Sequence, residues 1–315
     1  MPGRLASLRP EALQTRIDKA LDILAACRLC PRECGVNRLE GETGFCQTGR
    51  QALLASFNLH FGEEDPLVGE HGSGTIFFAG CNLGCVFCQN FDISHSTWGA
   101  MAVSPDQLAG VMLDLQGQGA QNINFVTPTH VVPQILEALP IALSQGLSLP
   151  LVYNCGGYER LETLELLDGV IDIFMPDAKF SDPDVARRYC RAEDYPDKAR
   201  AAIIEMHRQV GDLTVDQAGV AVQGLLVRHL LMPDDLAGSE AWFRYLAESV
   251  SPETYLNVMG QYRPCGEAAS FPELQDTIPA GQLQAARELA SRCGLRRLDR
   301  RKGLNARAFF KLFGH

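Results

Sequence analysis

The sequence lacks two features that would assign it to large classes of proteins: a long hydrophobic run and an excess of positive charge. No stretch of the 315 residues approaches the roughly 18 consecutive apolar residues of a transmembrane helix, so we expect no membrane span. The formal net charge is −10, whereas a nucleic-acid surface needs clustered lysine and arginine to bind phosphates. We therefore expect no nucleic-acid partner.

A secretory signal is not evident in residues 1–10 either. Arg4 and Arg9 are present, but no apolar core followed by a small-residue cleavage site accompanies them. This pattern predicts a cytoplasmic protein, in which thiols stay reduced and disulfides are rare. The eleven cysteines then need another explanation, and metal binding is the obvious one.

Alternating strand and helix patterns begin after Gly74. Residues 75–79 form a short apolar run, and Ser104, Pro105 and Gln107 mark a helix start with an N-cap, a proline in the first turn and a capping-box residue. About six strand-then-helix units follow, and such repetition predicts parallel strands joined by right-handed crossovers. We expect an α/β fold, a partial (β/α)6 barrel with its active site in loops at the carboxyl ends of the strands.

The cysteines divide the chain into two predicted parts. Residues 1–70 begin with an amphipathic helix over residues 10–26 and continue as a cysteine-rich, loop-dominated module. Residues 71–315 contain the barrel and a C-terminal helical segment.

The cysteines fall into two groups along the chain, and the second group lies directly after the strand predicted at residues 75–79. Cys81, Cys85 and Cys88 form a C-x3-C-x2-C array with the aromatic Phe87 before the last cysteine. A ferredoxin holds each 4Fe–4S cluster with four thiolates, so three thiolates leave one iron open. This array resembles the signature of the radical S-adenosylmethionine (SAM) superfamily. The resemblance implies that the open iron binds SAM, which is cleaved reductively to a 5′-deoxyadenosyl radical that abstracts hydrogen.

Longer segments are similar to one branch of that superfamily, the PflX-type iron–sulfur proteins, which resemble pyruvate formate-lyase activating enzymes. The matching segments lie between residues 27 and 262 and include Phe125–His130, Tyr153–Glu159 and Met175–Lys179. The resemblance implies hydrogen abstraction from a protein or peptide. An external one-electron donor of the flavodoxin or ferredoxin type is also implied, because nothing in the chain resembles a flavin or nicotinamide site.

The same resemblance assigns SAM contacts to the strand ends. Relatives often carry Gly-Gly-Glu after the second strand, and polar residues replace it here. Asn154 with two glycines follows the third strand, where the resemblance places the methionine or ribose of SAM. Arg228 ends a later strand, where a guanidinium can bind a carboxylate bidentately. The alternative for Arg228 is an ordinary pair on the protein surface. The alternative for Asp177 and Lys179, after the fourth strand, is a solvated ion pair. The predicted contacts are Thr127, Thr129, His130, Asn154, Gly156, Gly157, Asp177, Lys179 and Arg228.

The first cysteine group predicts a second metal site. Cys27, Cys30, Cys34 and Cys46 supply four thiolates, which suit either a structural zinc ion or an auxiliary 4Fe–4S cluster. The spacing does not decide between these metals.

Two other functions are compatible with the same motifs. One is a radical SAM enzyme that modifies a small molecule, which would need a closed pocket rather than an open groove. The other is a non-catalytic iron–sulfur electron carrier or zinc-stabilised scaffold, although three cysteines in the central array speak against a simple carrier.

Overall fold

A computed structural model describes residues 3–299. The predicted C-terminal segment beyond residue 299 lies outside the described residues. The helices, in chain order α1 to α10, are Pro10–Leu24, Asp65–Val68, Phe91–Ser94, Pro105–Gly117, Val132–Ser144, Leu161–Leu166, Pro183–Cys190, Tyr195–Val210, Ser239–Tyr245 and Gln282–Arg292. The strands, β1 to β10, are Ala52–His60, Ser73–Phe78, Met101–Val103, Ile123–Val126, Leu151–Cys155, Ile173–Pro176, Thr214–Val215, Ala221–Leu230, Tyr255–Met259 and Arg297–Leu298.

One mostly parallel sheet organises these elements in the order β10-β9-β8-β6-β5-β4-β2-β1-β3, with β7 paired to β8. Every neighbouring pair from β2 to β10 along this path is parallel, whereas β1 is antiparallel to both β2 and β3. Within residues 3–299, no pairing joins β3 to β10, so the sheet is an open path. The α/β fold predicted from the alternating pattern is confirmed.

Local sequence explains the position of the helices that cover the sheet. Helix α4 begins at a capping box, in which the Ser104 side chain accepts a hydrogen bond from the Gln107 amide while the Gln107 side chain accepts one from the Ser104 amide. Helix α1 buries Leu13, Ile17 and Leu24 along one face, and it packs against α5. None of the described helices is both long enough and apolar enough to cross a lipid bilayer.

The two faces of the sheet bury different side chains, because neighbouring residues of a strand point to opposite sides. On β5, Tyr153 and Cys155 join the large core under the helices, while Val152 packs on the inner face with Ile173 and Leu226. Towards the carboxyl ends this face still carries the apolar Met175 on β6 and then becomes polar at Asn154, Asp177 and Arg228. The inner face is therefore apolar low in the sheet and polar at the end where active sites of such folds lie.

Strand β1 lies inside the segment for which the sequence predicted loops. Its register against β2 shifts between Leu54 and Ser56, and residues 56–58 are exposed. A bulge of this kind interrupts the regular alternation of buried and exposed side chains, so periodicity did not indicate the strand. β1 attaches the cysteine-rich segment directly to the edge of the parallel sheet.

Two glycine substitutions should separate backbone constraint from helix propensity. Gly224 in β8 has φ +126°, and a β-carbon at this position would collide with the backbone of Leu213. Gly224→Ala should therefore lower the free energy of unfolding by about 3 kcal/mol. Gly110 lies in α4 with open space around it, and Gly110→Ala should raise stability by about 1 kcal/mol. Urea unfolding of both variants measures this. Equal effects of the two substitutions would contradict the constraint at Gly224.

Candidate functional site

The cysteine array Cys81–Cys88 lies in the loop that follows β2, at the carboxyl end of the parallel strands. The loop begins at Gly80, which has φ +82° and donates its amide to the Ile93 carbonyl at 2.8 Å. A side chain on Gly80 would collide with the carbonyl oxygen of Cys46, so glycine is required on two grounds. The array therefore starts in direct contact with the N-terminal cysteine segment.

Arg32 holds the backbone of this loop from outside the array. Its guanidinium donates to the carbonyl oxygens of Asn82 and Leu83, both at 2.9 Å. It also donates to the Cys190 carbonyl at 2.8 Å and lies over the Phe45 ring, 4.0 Å from the centroid. The planar guanidinium with several donors suits such a role. A residue two positions after Cys30 thus positions the loop that carries Cys81 and Cys85.

Cys85 is buried and Cys81 and Cys88 are partly buried, and the three thiols act on one another. Burial, and next the neighbouring Cys85, raises the pKa of Cys81 to about 12. Burial also raises the pKa of Cys88. A hydrogen bond between Cys85 and Cys190, whose sulfurs lie 3.3 Å apart, together with burial raises the pKa of Cys85 well above its usual value.

This donor set fits a cluster of iron and sulfide. A thiol binds metal as the thiolate, so a bound cation has to replace the protons that burial favours. Among residues 3–299, no three His, Cys, Asp or Glu side chains are gathered closely enough to hold one metal ion. A 4Fe–4S cluster places its thiolates on separate irons, so the three thiols of the array can each hold one iron of such a cluster.

Four of the predicted SAM contacts form one network on the inner face of the sheet. Arg228 donates to Asp177 at 3.1 Å, to the Asn154 side-chain oxygen, and to Glu63 at 3.3 Å. Lys179 donates to the other oxygen of Asp177 at 2.7 Å. The side chains of Arg228, Asp177 and Lys179 are between 16% and 19% exposed. They are therefore neither an ordinary surface pair nor a solvated ion pair.

Charge pairing keeps this network ionised although it is buried. Burial opposes the charged form of Asp177, but Lys179 and Arg228 outweigh it and hold the pKa of that carboxyl below its usual range. Burial likewise opposes the charge of Lys179, and Asp177 and Cys85 outweigh it and raise the pKa of the lysine. The electrostatic effect of Cys85 on Lys179 places the network beside the cysteine array.

The two glycines and Thr127 border the network. A methyl group at Gly156 would lie 3.2 Å from the Leu83 side chain, and the nearest atom to one at Gly157 would be the Asp177 carbonyl oxygen. Thr127 has φ +57°, rare for a β-branched residue, and its amide donates to the Asn154 carbonyl at 2.9 Å. These three positions bring backbone close to the space between the array and the network.

Thr129 and His130 belong to a different, fully buried set. The Thr129 hydroxyl donates to Glu159 at 2.6 Å, and the Tyr153 hydroxyl donates to the other Glu159 oxygen at 3.1 Å. His130 bonds through Nε2 to the Ala79 carbonyl at 2.9 Å. Burial lowers the pKa of His130 to about 4. Neither side chain joins the network around Arg228.

The N-terminal cysteines surround one small cavity. All four predicted ligands line it, together with Arg38, Asn82 and His130 among others. Cys27, Cys30 and Cys46 are buried, whereas Cys34 is exposed. The sequence grouping of these four cysteines thus corresponds to one place in the fold.

Three residues of the site were not assigned from the sequence. Glu63 precedes α2 in the segment predicted as loops, and no periodic signal marks it. Glu159 stands in the quoted Tyr153–Glu159 segment but had no role. Cys190 ends α7, a helix that the sequence analysis did not predict, although Asp182 as an N-cap followed by a proline is a signal that could have found it.

The buried carboxyl of Glu159 should make stability pH-dependent. Burial raises its pKa from 4.5 to about 7, so its contribution is fully present below pH 4.5 and is lost as the pH rises through 7. We expect the wild-type free energy of unfolding to fall by up to about 3 kcal/mol between these pH values through this group, and Glu159→Gln to remove that fall. Urea unfolding of the metal-free, reduced chain at pH 5 and 7.5 measures it. An unchanged slope in this variant, or the same change in the exposed Glu70→Gln control, would contradict the assignment.

Comparisons with known proteins bear on the family and the fold of this chain. Residues 75–218 match the Radical SAM superfamily. The uncharacterized protein MJ0674 of Methanocaldococcus jannaschii is 31% identical over 92% of this chain and 82% of its own length, and the uncharacterized protein MJ0808 of the same organism is 24% identical over 56% and 55%. A radical SAM methyltransferase from Sphaerobacter thermophilus shares the fold with a TM-score of 0.51 at 12% identity, over 75% of this chain and 69% of that one. The chain therefore belongs to the radical SAM superfamily, a family of enzymes that bind a 4Fe–4S cluster and SAM.

Proposed function

We propose that this chain abstracts a hydrogen atom from a protein or peptide substrate, as a glycyl-radical activating enzyme does. One-electron cleavage of SAM and hydrogen abstraction are the chemistry that a reduced 4Fe–4S cluster supplies when Cys81, Cys85 and Cys88 hold it. The protein has to bind SAM, orient it and exclude water. An external flavodoxin- or ferredoxin-type donor would provide the electron.

The observation that carries the proposal is an apolar, open edge beside the cysteine array. Trp98 is 94% exposed and Met101, the first residue of β3, is 52% exposed. In the described part of the chain, β3 pairs only with β1, so its other edge is free. Two strand spacings, about 10 Å, separate β3 from β2.

Such an edge suits a polypeptide better than a small molecule. An extended peptide can add a strand to a free sheet edge through main-chain hydrogen bonds. Tryptophan is enriched among the residues that contribute most to protein interfaces. Strand β3 has only three residues, so a partner strand would have space beside it along the same edge of the sheet.

For SAM we propose contacts on the network beside Cys85. Asn154, Asp177, Lys179 and Arg228 converge there, and Gly156 and Gly157 bring backbone close to it. Arg228 and Lys179 offer positive charge to the carboxylate of SAM, and Asp177 offers negative charge to its amino group. Thr127, Thr129 and His130 remain proposed contacts with less support, because the last two side chains have partners in another layer.

A small-molecule substrate is a second candidate, favoured by one buried carboxylate. Glu64 is 1% exposed, and one of its oxygens accepts from Asn257 at 2.7 Å. Its other oxygen finds no hydrogen-bond partner within residues 3–299. A ligand with an amine or hydroxyl group would satisfy that oxygen.

Removal of Cys85 tests the catalytic part of the proposal. The anaerobically reconstituted chain, given SAM and dithionite, should release 5′-deoxyadenosine and methionine, and Cys85→Ala should lower that release at least about a hundredfold because iron ligation is lost. Chromatography of the products measures both. Cys293→Ala, a change at the end of α10, is the matched control and should keep full activity. Nucleoside formation by Cys85→Ala at the wild-type rate would refute the ligand assignment.

Purified pyruvate formate-lyase serves as the test substrate for the activating-enzyme part. We expect a glycyl-radical signal by electron paramagnetic resonance. Trp98→Ala should raise the KM for pyruvate formate-lyase about tenfold, which corresponds to about 1.4 kcal/mol, because the contact of the Trp98 side chain is lost. Ile204→Ala removes a partly exposed residue of α8 and should leave KM unchanged. Absence of the glycyl radical while SAM is still cleaved would overturn the activating-enzyme proposal and favour the small-molecule candidate.

A further inference from the structure

We propose that the cavity lined by the N-terminal cysteines binds a second 4Fe–4S cluster, immediately beside the site of the first. The inference concerns another cofactor site and does not rest on the identity of the substrate. Its ligands are Cys27, Cys30, Cys34 and Cys46.

The cavity presents thiols from two segments of chain to one space. Cys27 is fixed by a pair of main-chain hydrogen bonds, from its amide to the Val36 carbonyl at 2.9 Å and from the Gly35 amide to its own carbonyl at 3.0 Å. Cys34 lies at the exposed end of the cavity, where its sulfur accepts from the Phe45 amide at 3.4 Å. The donors therefore line the cavity from its buried end to its mouth.

One residue that lines this cavity has a buried nitrogen without a hydrogen-bond partner among the described residues. His130 is 1% exposed and lines the same space. Its Nε2 bonds to the Ala79 carbonyl, whereas Nδ1 has no hydrogen-bond partner in the part of the chain that the structure describes. A buried nitrogen of this kind is normally satisfied, and an imidazole nitrogen is a common metal ligand.

A buried arginine supplies the second, independent observation. Arg38 is 1% exposed. Its guanidinium donates to the carbonyl oxygens of Gly49 and His130 and stands 3.9 Å from the Cys27 sulfur. Over residues 3–299, no carboxylate forms an ion pair with it. A buried charge without an opposite charge is costly, and four thiolates around a metal centre would supply the negative charge.

The spacing of the donors favours a cluster over zinc. Zinc–sulfur bonds of about 2.3 Å hold the four sulfurs of a zinc site about 3.8 Å apart. The four cysteines here line a cavity instead of meeting at one point. A cubane cluster spreads its four thiolates over four irons, which suits donors placed around a cavity.

The two cysteine sites share a wall. The Cys46 carbonyl packs against Gly80, the residue before Cys81, and Asn82 lines the N-terminal cavity. Two paramagnetic clusters placed this close should interact magnetically. That interaction provides a measurement that does not depend on turnover.

Iron counting on the full-length chain tests the site. After anaerobic reconstitution with iron and sulfide, the wild type should hold about eight irons. A double variant, Cys30→Ala with Cys46→Ala, should retain about four, because only two thiolates remain at the second site. Cys293→Ala should keep all eight. A wild type with about four irons and one zinc, or a double variant with all eight, would overturn the proposal.

Spectra of the dithionite-reduced samples separate this site from the first. The wild-type signal should be broadened by spin–spin interaction, and the double variant of Cys30 and Cys46 should show a single sharp signal that still shifts when SAM is added. A triple alanine variant of Cys81, Cys85 and Cys88 should keep about four irons and a signal that SAM does not change. If that triple variant holds no iron although its far-UV circular dichroism is native, the second cluster does not exist. If the only change in the triple variant is the loss of 5′-deoxyadenosine, that result bears on the proposed function and not on this site.

Discussion

The contact between Cys46 and Gly80 is the constraint on which the geometry of both cysteine groups depends. It brings a carbonyl oxygen of the N-terminal segment against the first turn of the array, at a place where any side chain would collide. Arg32 extends the same contact by donating to the Asn82 and Leu83 carbonyls. As a result, the backbone that presents Cys81 and Cys85 is positioned partly by residues that precede the parallel sheet in the chain.

The inner face of the sheet adds charged side chains beside the cysteine array. Low in the sheet this face is apolar, with Val152 and Ile173 in contact. At the strand ends it becomes polar, and Asp177, the residue after β6, lies between two cations that keep it ionised despite burial. Charged pairs at such depth add little to stability. Their position at the strand ends is where we propose the contacts to SAM.

Much of the fold and of the site could be predicted from local patterns. The capping box at Ser104 marked the start of α4 because capping is a property of four consecutive residues. Short buried strands such as β5 were indicated by apolar runs bounded by glycine or by polar residues. Strand β1 and helix α7 were not indicated, since a bulge broke the periodicity of one and the other is a short, strongly charged helix. Both contribute to the site, β1 by carrying the N-terminal segment to the sheet and α7 by placing Cys190 against Cys85.

The sequence by itself determined the radical SAM family, the α/β class and the two groups of cysteines, because spacing along the chain encodes which thiols can share a loop. It also named the polar residues that follow the strands. Only the tertiary structure decided which of these meet. Asn154, Asp177 and Arg228 stand on three different strands and come together because parallel strands end at one edge of a sheet, whereas Thr129 and His130 turn away into a buried layer. Contacts between residues far apart in the chain, such as Arg32 with Leu83, depend on packing that no local pattern records.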